Sequence, residues 1–128
     1  MLLFDTHALV WLASTPKNLS ARARHAIQQH SDELYVSSIS ALEIAILVKR
    51  NRLSLPVAVE EFVDRALRQH GILEIPLDRQ IAIASTRLPD IHNDPFDRII
   101  IATALLNGMS ILSKDQIIPR YPEVKVVW

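Results

Sequence analysis

Residues 92–115 read HNDPFDRIIIATALLNGMSILSKD, a passage that starts a helix, stops it and enters a strand. Asp94 precedes Pro95, and proline suits the first helical position because its missing N–H has no partner there in any case. Asp97 adds a negative charge to the first turn, where the helix dipole favours it. Gly108 supplies a residue tolerant of positive φ where such a helix commonly ends. Ser110–Leu112 follows as a short apolar run, the pattern of a strand covered on both faces.

The same rhythm extends through the chain. Strand-like runs occur at Leu2–Phe4, Leu34–Val36, Ile72–Ile75, Ser110–Leu112 and Val124–Val127. Helical patterns fall near 20–30, 39–51, 57–70, 78–87 and 95–107, with Ser20, Ser38 or Ser40, and Asp78 as capping candidates. Alternating short strands and longer helices predict an α/β chain whose parallel sheet is covered by helices.

The 128 residues are expected to form one domain, 1–128. A hydrophobic fraction of 49% with 22% charged residues excludes disorder. Fourteen basic and 14 acidic residues cancel, so general phosphate attraction does not mark the chain as a nucleic-acid binder. The absence of cysteine excludes a disulfide scaffold, a cysteine zinc site and a thiol nucleophile. The opening MLLFDTHALVWLAS lacks a basic leader and is interrupted by Asp5 and His7. No run approaches the ~18 apolar residues of a membrane span. The expectation is a soluble, cytoplasmic protein.

Open parallel sheets bind ligands beyond the carboxyl ends of their strands, where helix N-termini also lie. Asp5 directly follows the first strand, and Asp115 follows the fourth. Glu43 lies early in the helix after the second strand, and Asp97 lies in the first turn of the helix leading to the fourth. Four acids distant in sequence are thus expected at one edge. Glu43 is the only charged residue in LYVSSISALEIAILV, residues 34–48, and a helix apolar nearly all round is expected to be buried. A lone carboxylate there is costly without a partner, and Lys49 and Arg50 are too far along the helix for a pair four residues apart. Converging carboxylates repel unless a cation sits among them. Hard oxygen-ligated cations, Mg²⁺ or Mn²⁺, meet that need and suit phosphodiester hydrolysis by a metal-activated water.

Asp5-Thr6 after an apolar strand, SSISALEIA around Glu43, HNDPFDRIIIATA around Asp97 and ILSKD ending at Asp115 together resemble PIN-domain proteins. More narrowly they resemble VapC-type toxins of prokaryotic toxin–antitoxin pairs, over nearly the whole chain. The resemblance implies a three-layer α/β/α sandwich with a central, mostly parallel sheet of about five short strands. It implies a Mg²⁺- or Mn²⁺-dependent endoribonuclease, a homodimer, and neutralisation by a cognate antitoxin. Asp5, Glu43, Asp97 and Asp115 correspond to the family's acidic quartet, with Thr6 and Ser113 as accompanying hydroxyls. Ser113 is a mild departure from the threonine often found beside the last acid. Asp94 is ambiguous between a helix cap, an outer group and a ligand in place of Asp97. Asp97 is preferred because it shares a helix face with Ile101 and Ala104.

Arg98 is expected to brace Asp94, with phosphate contact the other option. His7 and His92 read as surface or packing groups. Arg22, Arg24, Lys49, Arg50 and Arg52 read as solvated helix faces, or as a patch facing RNA or antitoxin. Trp11, Phe62 and Trp128 are too few and dispersed for a stacking platform and read as core or interface. A haloacid-dehalogenase-like phosphatase would want an acid at position 7, which is histidine. A response-regulator receiver fits poorly because Asp78 comes only after Pro76. The alternatives that stay open are a PIN-fold DNA nuclease and an inactive PIN-fold binding protein.

Overall fold

In the computed structural model, which describes residues 1–128, the apolar run Leu2–Phe4 forms the central strand β1. Leu34–Ser37 (β2) and Ser110–Leu112 (β4) pair with it on either side; Leu73–Ile75 (β3) extends the sheet beyond β2, and Val126–Val127 (β5) beyond β4. All four pairings are parallel. Six helices complete the fold: α1 (Thr6–Ser14), α2 (Ala21–Gln29), α3 (Ile39–Lys49), α4 (Val59–His70), α5 (Arg79–Thr86) and α6 (Pro95–Asn107).

Alternating side chains of a strand face opposite sides of the sheet, and here both sides are covered. Leu2 and Phe4 enter one core with Ala8 and Leu9 of α1, Ala23 of α2 and Phe62 and Val63 of α4. Leu3 enters the other with Ile100, Ile101 and Ala104 of α6, and α5 packs along α6. The result is the expected three-layer α/β/α sandwich. Ser20 and Asp78 cap α2 and α5 by accepting from Ala23 and Ile81 N–H groups. Gly108 ends α6 at φ +64°, as its position predicts.

Several expectations are corrected. The helix α1 is not among the five helical patterns, because its short ALVWLA segment follows β1 with only Asp5, Thr6 and His7 between them. Strand β3 is an edge strand with Leu73 60% exposed, so coverage on both faces fails there. In α3 only Ile39, Ser40 and Ile44 are buried, and Leu42 stands 50% exposed; the helix is apolar without being enclosed. Neither Ser38 nor Ser40 caps it by side chain. The Ser38 hydroxyl instead accepts from Leu77 N–H at 2.9 Å, tying α3 to the chain after β3. No helix is long and apolar enough to cross a membrane.

From β1 the chain moves outward to β2 and β3, then returns through α5 and α6 to β4 on the opposite side of β1. The crevice beyond the carboxyl ends of β1 and β4 is therefore the switch point of the sheet, where such folds open to a ligand.

Candidate active site

That crevice is a cleft of about 490 Å³ whose walls include Asp5, Glu43, Asp94, Asp97 and Asp115. All four acids expected at this edge line it, together with the ambiguous Asp94.

Asp5 continues the ladder, its N–H donating to Leu112 O at 3.1 Å. It then caps α1, with Oδ1 accepting from Ala8 N–H at 2.8 Å. Its Oδ2 accepts from the Ser113 hydroxyl, and the Ser113 oxygen accepts from Asp115 N–H at 3.0 Å. One buried hydroxyl thus joins the loops after β1 and β4. Burial raises the Asp5 carboxyl, against the lowering pull of Ser113 and Ala8. Thr6 turns the other way and donates to Ser40 Oγ at 3.0 Å, linking α1 to α3.

Asp115 accepts through Oδ1 from Ile117 N–H at 2.6 Å and Ile118 N–H at 3.2 Å. Burial alone would raise its carboxyl. The hydrogen bond from His92 and those two N–H groups outweigh it and hold Asp115 below the usual carboxylate range.

Glu43 reaches the cleft from α3. Its Oε1 is enclosed and has no hydrogen-bond partner, and no basic side chain pairs with it. Burial raises its carboxyl, the nearby Thr6 hydroxyl and His7 pull it down in part, and the negative charges of Asp94 and Asp5 add to the rise. An enclosed, unpartnered carboxylate oxygen costs about 1–3 kcal/mol or more.

Asp94 caps α6, accepting from Phe96 N–H at 2.9 Å. One turn on, the Asp97 carboxyl is pushed up to about 8, first by burial and then by the charges of Asp94, Glu43 and Asp115.

His92, read from sequence as packing, stands between two of these acids. Its Nε2 lies 3.0 Å from Asp115 Oδ2 and 3.2 Å from Asp97 Oδ2. Nδ1 accepts from Asp94 N–H at 3.2 Å, so the ring hydrogen of the neutral imidazole belongs on Nε2, facing both carboxylates. The signal available in sequence was its place two residues before a capping acid, within reach of the first turn of α6.

Arg98 does not brace Asp94. Its guanidinium donates to the carbonyls of Ser85, Leu88, Pro89 and His92 and to Tyr121 Oη, at 2.9–3.3 Å. Tyr121 Oη donates to Pro89 O and accepts from His92 N–H, each at 2.9 Å. Arginine and tyrosine together fix the segment that presents His92. The planar five-donor guanidinium suits a web of carbonyls better than a single carboxylate would use it.

Trp11 and Trp128, read as dispersed, meet with ring centroids 5.6 Å apart, and His7 stacks on Trp11 at 5.9 Å. Phe62 is a core residue.

The donors converging here are hard carboxylate oxygens. They include one enclosed oxygen without a partner, and several carboxyls are raised by burial and mutual repulsion. Such a set fits a divalent cation that prefers oxygen ligands; Asp97 and Asp115 bring carboxylate oxygens within 4.8 Å of each other, both facing His92 Nε2.

The sequence profile of the PIN domain family matches residues 2–124. The chain is 33% identical, over 98% of its length and 97% of the relative's, to Ribonuclease VapC22 of Mycobacterium tuberculosis. A toxin–antitoxin complex from Klebsiella pneumoniae contains a chain that superposes with a TM-score of 0.68 at 24% identity, covering 97% of this chain and 95% of that one. A chain of VapBC2 from Rickettsia felis, bound to a promoter DNA fragment, gives a TM-score of 0.72 at 13% identity, covering 98% and 96%. The two solved structures share its fold.

Proposed function

The chain belongs to the PIN domain family, and on that premise we propose that residues 1–128 form one catalytic domain, a Mg²⁺- or Mn²⁺-dependent endoribonuclease. We further propose that it is the toxin of a VapBC-type pair. The observation that carries the nuclease reading is the cleft itself: five carboxylates around one crevice, one with an enclosed oxygen that lacks any partner in the protein. The ribonuclease name of a relative similar over nearly its whole length supports the choice of RNA.

Asp5, Glu43, Asp97 and Asp115 are the residues that would hold the cation, with Asp94 capping its helix beside them. When bound, a divalent cation lowers the pKa of a water and offsets charge on the scissile phosphate. The protein's own part is to hold these acids in one place. Ser113 fixes Asp5 and ties it to Asp115. His92 offers its Nε2 N–H to the facing oxygens of Asp97 and Asp115, which offsets part of their repulsion. Tyr121 and Arg98 hold His92 from behind. Side chains so fixed lose little freedom when substrate arrives.

The apolar surface left open along α3 supports a homodimer. An antitoxin partner rests on the solved complexes that share the fold.

Purified protein should cleave single-stranded RNA with Mg²⁺ or Mn²⁺, lose that activity in EDTA, and leave DNA of the same sequence intact. Undiminished cleavage by Asp5→Asn protein would remove the basis of the proposal. Expression in bacteria should arrest growth, with relief by the adjacent small gene product.

A further inference from the structure

We propose that the acidic cleft continues into a track for single-stranded RNA, running over Lys114 to Arg22 and Trp128. The proposal rests on the ribonuclease reading and supplies what that reading lacks, a grip on the substrate.

The chain carries no net charge, and the cleft itself gathers five carboxylates. A bound cation can hold the scissile phosphate, but the flanking phosphates would meet a negative surface unless cationic side chains lie close by. One direction out of the cleft provides them. Its wall at Lys114, Asp115 and Gln116 is shared with a second depression of about 530 Å³, which reaches Arg22 on α2 and Trp128. The two hollows meet across the loop that follows β4. Lys114 lines both, and neither Lys114 nor Arg22 is engaged in an ion pair. Both side chains are exposed.

Aromatic rings border the same path. Trp11 lines the cleft and Trp128 the second hollow, with centroids 5.6 Å apart. Both are partly buried against the core around β1, which holds them rigid. The exposed His7 ring stacks on Trp11, and the Lys114 ammonium sits 6.0 Å from the Trp11 ring centre. His7, exposed at the end of this stack, and Trp128 stand beside cations free of ion pairs and suit unstacked bases with their phosphates; only single strands offer free base faces. Stacking of this kind tolerates any base, so the track contributes affinity and register more than sequence choice.

The protein's two tryptophans are Trp11 and Trp128, so emission excited selectively at tryptophan reports on this groove. Titration with a ten-nucleotide single-stranded RNA in EDTA, where cleavage is blocked, should quench that emission, and duplex RNA of equal length should quench it less. Lys114→Ala and Arg22→Ala change exposed side chains, so the fold should survive. Each should weaken binding about five- to tenfold and reduce the salt dependence by about 0.7 in slope for each phosphate no longer neutralised. Lys114→Arg should bind like the wild type. In metal-supported cleavage the alanine variants should raise KM while kcat stays within about twofold.

Unchanged emission on adding RNA that the protein demonstrably cleaves would overturn the track. So would wild-type affinity in both alanine variants, or quenching by a protein partner but not by RNA, which would assign the groove to that partner. Absence of cleavage with any divalent cation counts against the ribonuclease reading instead, because the emission titration needs no catalysis.

Discussion

Replacing Arg98 removes a device whose contribution can be worked from its hydrogen bonds. Four terminal N–H groups reach five acceptors, Nη1 sharing its two hydrogens among Pro89 O, His92 O and Tyr121 Oη; the contact to Pro89 O lies at the surface, and the other four are partly buried. Water can take over at the surface and only in part elsewhere. At about 1 kcal/mol for each partly buried bond, Arg98→Met, which keeps the stem and removes every donor, should cost about 4 kcal/mol. Arg98→Lys keeps the charge but cannot span five acceptors, and re-forming two bonds would leave a deficit of about 2 kcal/mol. For a chain of this length 1 kcal/mol lowers Tm by about 3–4 °C. Thermal unfolding in EDTA should therefore fall by about 12–16 °C for methionine and about 6–8 °C for lysine. Because the same web anchors His92, Mn²⁺ affinity measured by calorimetry should fall about tenfold in the lysine variant, the scale expected when a supporting hydrogen bond is removed. A lysine variant that unfolds within about 2 °C of wild type and binds Mn²⁺ equally well would refute the reasoning.

Three further outcomes follow from the same geometry. Glu43→Gln should stabilise the metal-free protein by about 1 kcal/mol, because an amide replaces an enclosed, unpartnered charge, while abolishing RNA cleavage; denaturant unfolding in EDTA reads the first effect, and destabilisation would contradict it. The Asp97 carboxyl is pushed up to about 8, and for an acid raised on folding, stability is full below the unfolded value near 4 and declines as pH rises through the folded one. Asp5 and Glu43 shift in the same direction, so metal-free protein should unfold at lower denaturant at pH about 9 than at about 6. Saturating Mn²⁺ should diminish that difference; equal midpoints in EDTA would argue against the crowding of acids. His92→Ala should weaken Mn²⁺ binding about 10- to 100-fold, and His92→Gln, which can again present an N–H to Asp97 and Asp115, should recover part of it; identical affinities in the two variants would mean that the N–H donor has no role.

Most of the architecture was legible because it rests on local signals. Apolar triplets marked the inner strands, Ser20 and Asp78 marked helix starts, and Pro95 and Gly108 bracketed α6. The first helix was hard to separate because only Asp5, Thr6 and His7 stand between LLF and ALVWLA, and the hydrogen bond from Ala8 to Asp5 marks where strand gives way to helix. Enclosure of α3 was overestimated because apolar composition records what a face can bury, not whether this chain covers it. The acids could be assigned to strand ends and helix starts, and their meeting at one cleft rests on the strand order that sets β4 beside β1. Arg98 could not be placed, because its partners are backbone carbonyls and Tyr121, and the approach of His92 to Asp97 and Asp115 depends on the same folded loop. Trp11 and Trp128 lie at opposite ends of the chain, and their meeting depends on the strand order that sets β5 beside β4.

Cleavage of a single-stranded RNA by wild-type and Asp5→Asn protein, each with Mn²⁺ and with EDTA, tests the central claim most directly. Metal-dependent cleavage by the wild type alone is the predicted result. Cleavage that persists in EDTA, or that proceeds equally in the variant, would contradict it.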